Sequence, residues 1–139
     1  MDDYEKQAKD FLKLCGASIK FKYCGLEIPP WGIAQHDVYD CTIRTRRGEM
    51  TVHFYDSVTG TDKRANGNVH CVTEYDVLSC LQKYNVGSME DFFGEFYGKI
   101  ESVDEFRRFE RTYNAAVKEY EDVKRCFSEQ EIEMLCEIN

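Results

Sequence analysis

The sequence predicts an α+β domain: an N-terminal helix, a three-stranded antiparallel meander, then four helices packed on one face of the sheet. Three observations carry this reading. Between Ser18 and Tyr55 apolar and polar residues alternate, the period of half-buried strands. From Val72 to Phe96, in VTEYDVLSCLQKYNVGSMEDFFGEF, and again after Ser102, apolar residues recur at the three-and-four spacing of amphipathic helices. The strand segments follow one another with no helical crossover between them, which only an antiparallel arrangement allows. At 139 residues, 42% of them hydrophobic, the chain fits a single domain, 1–139, with a sizeable core.

Taken in order, Tyr4, Ala8, Phe11, Leu12 and Cys15 form one helical stripe, acidic residues stand in the first turn where the helix dipole favours them, and Gly16 ends the helix. Ile19, Phe21 and Tyr23 alternate with Lys20 and Lys22 in a first strand over Ser18–Ile28, which Pro29 and Pro30 stop. Tyr39, Cys41 and Ile43 give the core face of a second strand over Asp37–Thr45, and Met50, Val52 and Phe54 that of a third. The polar turn Arg46-Arg47-Gly48-Glu49 joins these two as a hairpin. The stretch from Asp56 to Asn68 has no period and many turn formers, and reads as a long exposed loop.

In the central pair, Thr73 stands three residues before Asp76 and Ser88 three before Asp91, so each helix begins with a capping pair. Asn85-Val86-Gly87 is the turn between them, and Phe92 and Phe93 lie on the apolar stripe of the second. Ser102 with Glu105 opens the longest helix, whose stripe runs Val103, Phe106, Phe109, Tyr113, Ala116, Val117, Tyr120, Val123, Phe127. Ser128 with Glu131 opens the last, carrying Ile132, Leu135, Cys136 and Ile138.

Composition bounds the function without naming a reaction. A formal net charge of −8 argues against direct binding to nucleic-acid phosphates and favours a basic partner. No apolar run reaches the roughly 20 residues that cross a bilayer, and the opening MDDYEKQAKD lacks the parts of a signal peptide, so a soluble intracellular protein with no membrane partner is expected. Seven cysteines without a secretion signal read as reduced, mostly buried thiols rather than as a disulfide framework. Glycine-rich phosphate loops, H-E-x-x-H, G-x-S-x-G and C-x-x-C are all absent, so the expectation is a protein that is not an enzyme.

Two constellations stand out. In a meander the end of the first strand, the start of the second and the end of the third share one edge, which brings Cys24, His36, His70 and Cys71 toward each other as candidate ligands for one structural zinc ion. Neighbours in an extended segment point apart, so one or both of His70 and Cys71 would serve. Separate core cysteines and surface histidines account for the same residues without a metal. From Glu101 to the C-terminus, eleven Asp or Glu stand against six Lys or Arg, which makes the last two helices a candidate acidic face. Glu119, Glu121, Asp122 and Glu129 are its partner-binding candidates, and a merely solvated surface is the competing account. Lys20 and Lys22, facing the same way as Arg44 or Arg46, invite a nucleic-acid reading, but four such residues on a sheet rim read as a solubilising edge.

DDYEKQAKDFL, DVYDCTIRTRRGEMTVHF, TEYDVLSCLQKYNVGSMEDFFGEF and KEYEDVKRCFSEQEIEMLCEI together resemble small proteins encoded by phages and mobile elements of Gram-positive bacteria, the third block being the most specific. Proteins of this kind include anti-CRISPR inhibitors of the type II nuclease Cas9. The resemblance implies a non-enzymatic inhibitor in the cytoplasm of the bacterial host, one that binds a defence nuclease such as Cas9 and blocks its nucleic-acid handling. It does not require Cys24, His36, His70 or Cys71. The alternative is a metal-stabilised structural or regulatory phage protein without a nuclease target.

Overall fold

The structure, a computed structural model, describes residues 3–29, 32–56, 72–82, 94 and 97–138. The elements are α1 (Asp3–Leu14), β1 (Ser18–Glu27), β2 (His36–Thr45), β3 (Gly48–Tyr55), α2 (Glu74–Leu81), α3 (Val103–Cys126) and α4 (Glu129–Cys136). The class is α+β, with a helix first and then an antiparallel sheet in the order β1-β2-β3. The described residues hold four helices in all, three of them after the sheet, so the expected four after the sheet are not found there. The second central helix, with Ser88, Asp91, Phe92 and Phe93, falls outside the described residues, as does the loop after Asp56.

Helix α1 ends as its sequence requires. Gly16 takes φ 61°, a left-handed conformation that glycine adopts without a Cβ penalty. It allows Gly16 N–H to reach Lys13 O (3.1 Å) and Ala17 N–H to reach Leu12 O (2.7 Å), the paired bonds that close a helix and turn the chain toward β1. Thr73 and Ser128 form full capping boxes with Asp76 and Glu131. The Ser102 hydroxyl accepts from Glu105 N–H, while the Glu105 carboxylate accepts from Glu101 N–H instead. Gln82, just after α2, makes a cap between helices: its amide donates to Leu135 O (3.0 Å), which also accepts from Ile138 N–H, and to Ile138 O (2.5 Å), just past the end of α4.

The sheet register contains one irregularity with consequences for its outer face. Ser18 to Tyr23 pair in order with Arg44 to Tyr39, but Gly25 pairs with Val38, which leaves Cys24 as an extra residue in a bulge. Gly25 there takes φ 93°. Because side chains alternate along a strand, one inserted residue reverses the faces beyond it. Lys20 and Lys22 stand on the same face as Thr42 and Asp40; past the bulge, Glu27 joins that face too, instead of the core face that strict alternation from Tyr23 would give it.

The inner face carries Cys41, Ile43, Met50 and Val52, all buried. They pack with Phe11 and Leu12 of α1, Val77, Leu78 and Leu81 of α2, and Val123, Phe127 and Leu135 from the C-terminal helices. Phe11 and Phe127 meet with ring centroids 5.8 Å apart. Thr45, at the hairpin turn, donates its hydroxyl to Cys126 O (2.8 Å) and so fastens β2 to the end of α3.

The long stripe of α3 is buried only along its C-terminal half, which corrects the expectation of a continuous core face. Ala116, Val123 and Phe127 are buried, but Val103, Phe106 and Tyr113 are exposed, at 68%, 44% and 43%. In the N-terminal half Tyr97 meets Phe109 edge-on (5.4 Å) and Phe109 stacks on Tyr113 (6.0 Å). Among the described residues no helix is long and apolar enough to cross a membrane.

Candidate functional site

Helix α4 is short, and both ends are fixed from inside: the Ser128–Glu131 box at its start, Gln82 at its finish, Ile132 and Leu135 buried beneath. That anchoring determines what faces outward. Glu129, Glu133 and Glu137 follow one another at four-residue intervals, all three exposed, and no Lys or Arg lies anywhere from Ser128 to the C-terminus. The helix dipole favours only Glu129, in the first turn of α4, and not Glu133 or Glu137. Like charges four residues apart on a helix destabilise it by about 0.2–0.5 kcal/mol per pair. Carboxylates near a C-terminal end also oppose the helix dipole, and α4 has no basic residue in its last turn. Glu131, by contrast, is turned inward. Desolvation opposes its charge, but hydrogen bonds from Ser128 and the Cys15 thiol outweigh it and hold its carboxyl below the usual range.

The four acidic candidates divide. Glu121 and Glu129 are exposed; Glu119 and Asp122 are half-buried. Asp122 accepts from Arg125 Nη2 at 3.0 Å, and the same guanidinium nitrogen donates to Glu49 O across on β3 (3.0 Å). On the outer surface of α3, Lys118, Lys124 and Arg125 are exposed among the carboxylates, so charge there is mixed, whereas on α4 it has one sign. Glu133 and Glu137 complete the acidic stripe with Glu129, and their four-residue spacing was the sequence signal for them.

Of the zinc candidates, His70 and Cys71 lie outside the described residues. Cys24 is exposed in the β1 bulge, and His36 faces Glu27 in register, with the Gly25–Val38 and Leu26–Asp37 pairs between the two. The His36 Nδ1 is 2.8 Å from Asp56 O. A carbonyl can only accept, so Nδ1 carries the proton, and Nε2 is the nitrogen a metal would take. Among the described residues no three His, Cys, Asp or Glu side chains are grouped so as to hold a metal ion.

The outer sheet face carries a different cluster. His53 of β3 has Nδ1 2.5 Å from Asp40 Oδ1 of β2 and Nε2 2.5 Å from Glu27 Oε2 of β1, so one imidazole ties all three strands. Desolvation lowers the His53 pKa, but the hydrogen bonds to Asp40 and Glu27 and their charges raise it further, and the net shift is upward. Asp40 moves down, chiefly through its bond from His53. A ring with both nitrogens held by carboxylates has no lone pair to act as a base. Cys24 is raised by desolvation and by its bond to Asp40, and burial pushes Cys15 and Cys41 up to about 12. Cys126 and Cys136 also shift upward through desolvation. These thiols stay protonated near neutral pH, the opposite of what a thiolate nucleophile needs.

No protein-family model, no curated protein and no solved structure matches the chain.

Proposed function

We propose that the protein is a non-enzymatic inhibitor of the anti-CRISPR kind that binds a basic, nucleic-acid-handling surface of a bacterial defence nuclease, with Cas9 the first target to test. The carrying observation is the exposed, one-signed stripe Glu129, Glu133, Glu137 on α4. Its two like-charge pairs and the dipole at its Glu137 end oppose the helix, while the dipole favours Glu129 alone, so the fold by itself gives no reason for the stripe beyond its first member. A surface that binds nucleic-acid phosphates is basic, and a carboxylate stripe is complementary to it; such complementarity speeds encounter and orients the partners. Protonated thiols and a doubly engaged His53 favour binding over catalysis in this reading. Lys22 and Arg44, on the outer sheet face, stand opposite Asp40 and Glu49, which leaves that face without the unbroken positive charge that direct nucleic-acid binding needs.

The test is DNA cleavage by several Cas9 orthologues, each assembled with guide RNA, in the presence of the wild-type chain or a Glu129→Lys/Glu133→Lys/Glu137→Lys variant. Inhibition by the wild type that the folded variant lacks supports the reading. Unimpeded cleavage by every orthologue removes it.

A further inference from the structure

We propose that the groove between α1 and α4 seats a basic amphipathic helical segment of the partner. This rests on the partner-binding reading above and names its recognition element. The two helices run antiparallel, so that Gln7 and Asp10 face Glu137 and Ile138 at one end, while Leu14 nears the start of α4 at the other. Phe11 and Ile138, both buried, form the floor. Leu14 and Met134 form the lips and are 55% and 38% exposed, although each has apolar surface of the kind that ordinarily seeks cover. A hollow of about 460 Å³ lies on the Asp10 side of these two residues, and a second of about 430 Å³ continues past them to Arg46 and Arg47.

Charge selects the occupant. Asp10 and Glu137 flank the first hollow, the C-terminal end of the α4 dipole adds negative potential there, and no basic side chain stands in the last turn of α4. At the far end Arg46 lies over Gly16 and donates to Leu14 O (3.4 Å). The groove is therefore apolar in the middle and negative at the Asp10 end, while at the other end Arg46 and Arg47 stand with the Glu131 carboxylate and the charge is mixed. A segment whose apolar residues pack between Leu14 and Met134, and whose Lys or Arg residues meet Asp10 and Glu137, satisfies both features; an acidic segment meets repulsion from these two carboxylates. Methionine at one lip adapts to the side chain it receives. A segment that lies along α1 needs about 12 residues, roughly 18 Å as a helix.

The experiment titrates the isotopically labelled full chain with a synthetic peptide of about 12 residues carrying Leu and Lys at helical spacing, and in parallel with its Leu/Glu counterpart, following amide shifts by NMR. The Leu/Lys peptide should perturb Asp10, Leu14, Met134 and Glu137, and the Leu/Glu peptide should not bind. Leu14→Ser/Met134→Ser and, separately, Asp10→Lys/Glu137→Lys should each weaken the Leu/Lys peptide by about tenfold or more. All four side chains are exposed or nearly so, and a thermal melt verifies folding of each variant. Should one pair fail to fold, the other still decides the question. Equal affinity of the Leu/Lys peptide for wild type and for the Leu14/Met134 variant would reduce the effect to general charge attraction and overturn the proposal, as would shifts clustered elsewhere. Dimerisation of the free protein that the Leu14/Met134 variant abolishes would make a second copy the occupant and also overturn it. Nuclease inhibition retained by a variant that no longer binds peptide removes the groove and leaves the inhibitor; groove binding with no nuclease inhibited removes the inhibitor and leaves the groove.

Discussion

His53 Nδ1 stands 2.5 Å from Asp40 Oδ1, directly opposite it across the β2–β3 ladder, and the same imidazole reaches Glu27 through its other nitrogen. The folded state raises the His53 pKa and lowers that of Asp40. A raised histidine contributes its stabilisation in full below its ordinary value of about 6.5 and loses it as pH rises through the folded value. A lowered carboxylate contributes in full above about 3.9 and loses it as pH falls through its folded value. The cluster is therefore strongest between about pH 4 and about pH 6.5. All three side chains are more than a third exposed, so solvent screening limits the effect to about 0.5–1 kcal/mol. Urea melts of His53→Gln should show that deficit at pH 5.5 and a much smaller one at pH 9; a deficit independent of pH would contradict the assignment.

Phe127 and Phe106 test where the core ends. Phe127 is 1% exposed against Phe11, and Phe127→Ala should destabilise by about 3–5 kcal/mol. Phe106 is 44% exposed near the start of α3, the helix that Phe127 caps, and Phe106→Ala should change stability by less than about 1 kcal/mol. Comparable losses for the two in denaturant melts would mean that the N-terminal half of α3 is buried after all.

Gln82 joins α2 to α4 by donating to two carbonyls at the end of α4. Gln82→Leu keeps much of the volume but removes both donors, which should cost about 1–3 kcal/mol and speed amide exchange in α4 more than in the sheet. Uniform exchange across the molecule would argue that the amide is not a local clamp.

What was legible in the sequence follows from what periodicity encodes. The alternation of Tyr39, Cys41 and Ile43 against Met50, Val52 and Phe54 identified the hairpin and its inner face, and Thr73 and Ser128 marked helix starts to the residue. Periodicity says which residues share a face, but not whether anything covers it; hence Val103, Phe106 and Tyr113 read as core although they are exposed. The bulge at Cys24 breaks the period itself. Gly25 inside a strand was its signal, and without the bulge Glu27 would have been assigned to the face away from His53. The groove has no sequence signature, because Leu14 and Met134 meet only through the packing of α1 against α4.

Glu133 lies between Glu129 and Glu137 on α4, so Glu133→Lys replaces two like-charge neighbours with two opposite-charge ones. It should leave the melting temperature unchanged or raise it slightly, by about 0.5–1 kcal/mol of stability, while slowing association with the partner. A clear loss of stability would show that this carboxylate serves the fold.

The central claim is that the carboxylate stripe of α4 holds a basic nuclease surface. The most direct measurement is the salt dependence of inhibition of guide-loaded Cas9 by the wild type and by the Glu129→Lys/Glu133→Lys/Glu137→Lys variant, both verified as folded by circular dichroism. Between about 0.1 M and about 1 M salt the screening length falls from about 10 Å to about 3 Å, so wild-type association should weaken steeply and the variant should inhibit poorly at every salt concentration. Equal inhibition by wild type and variant, unaffected by salt, would contradict the claim.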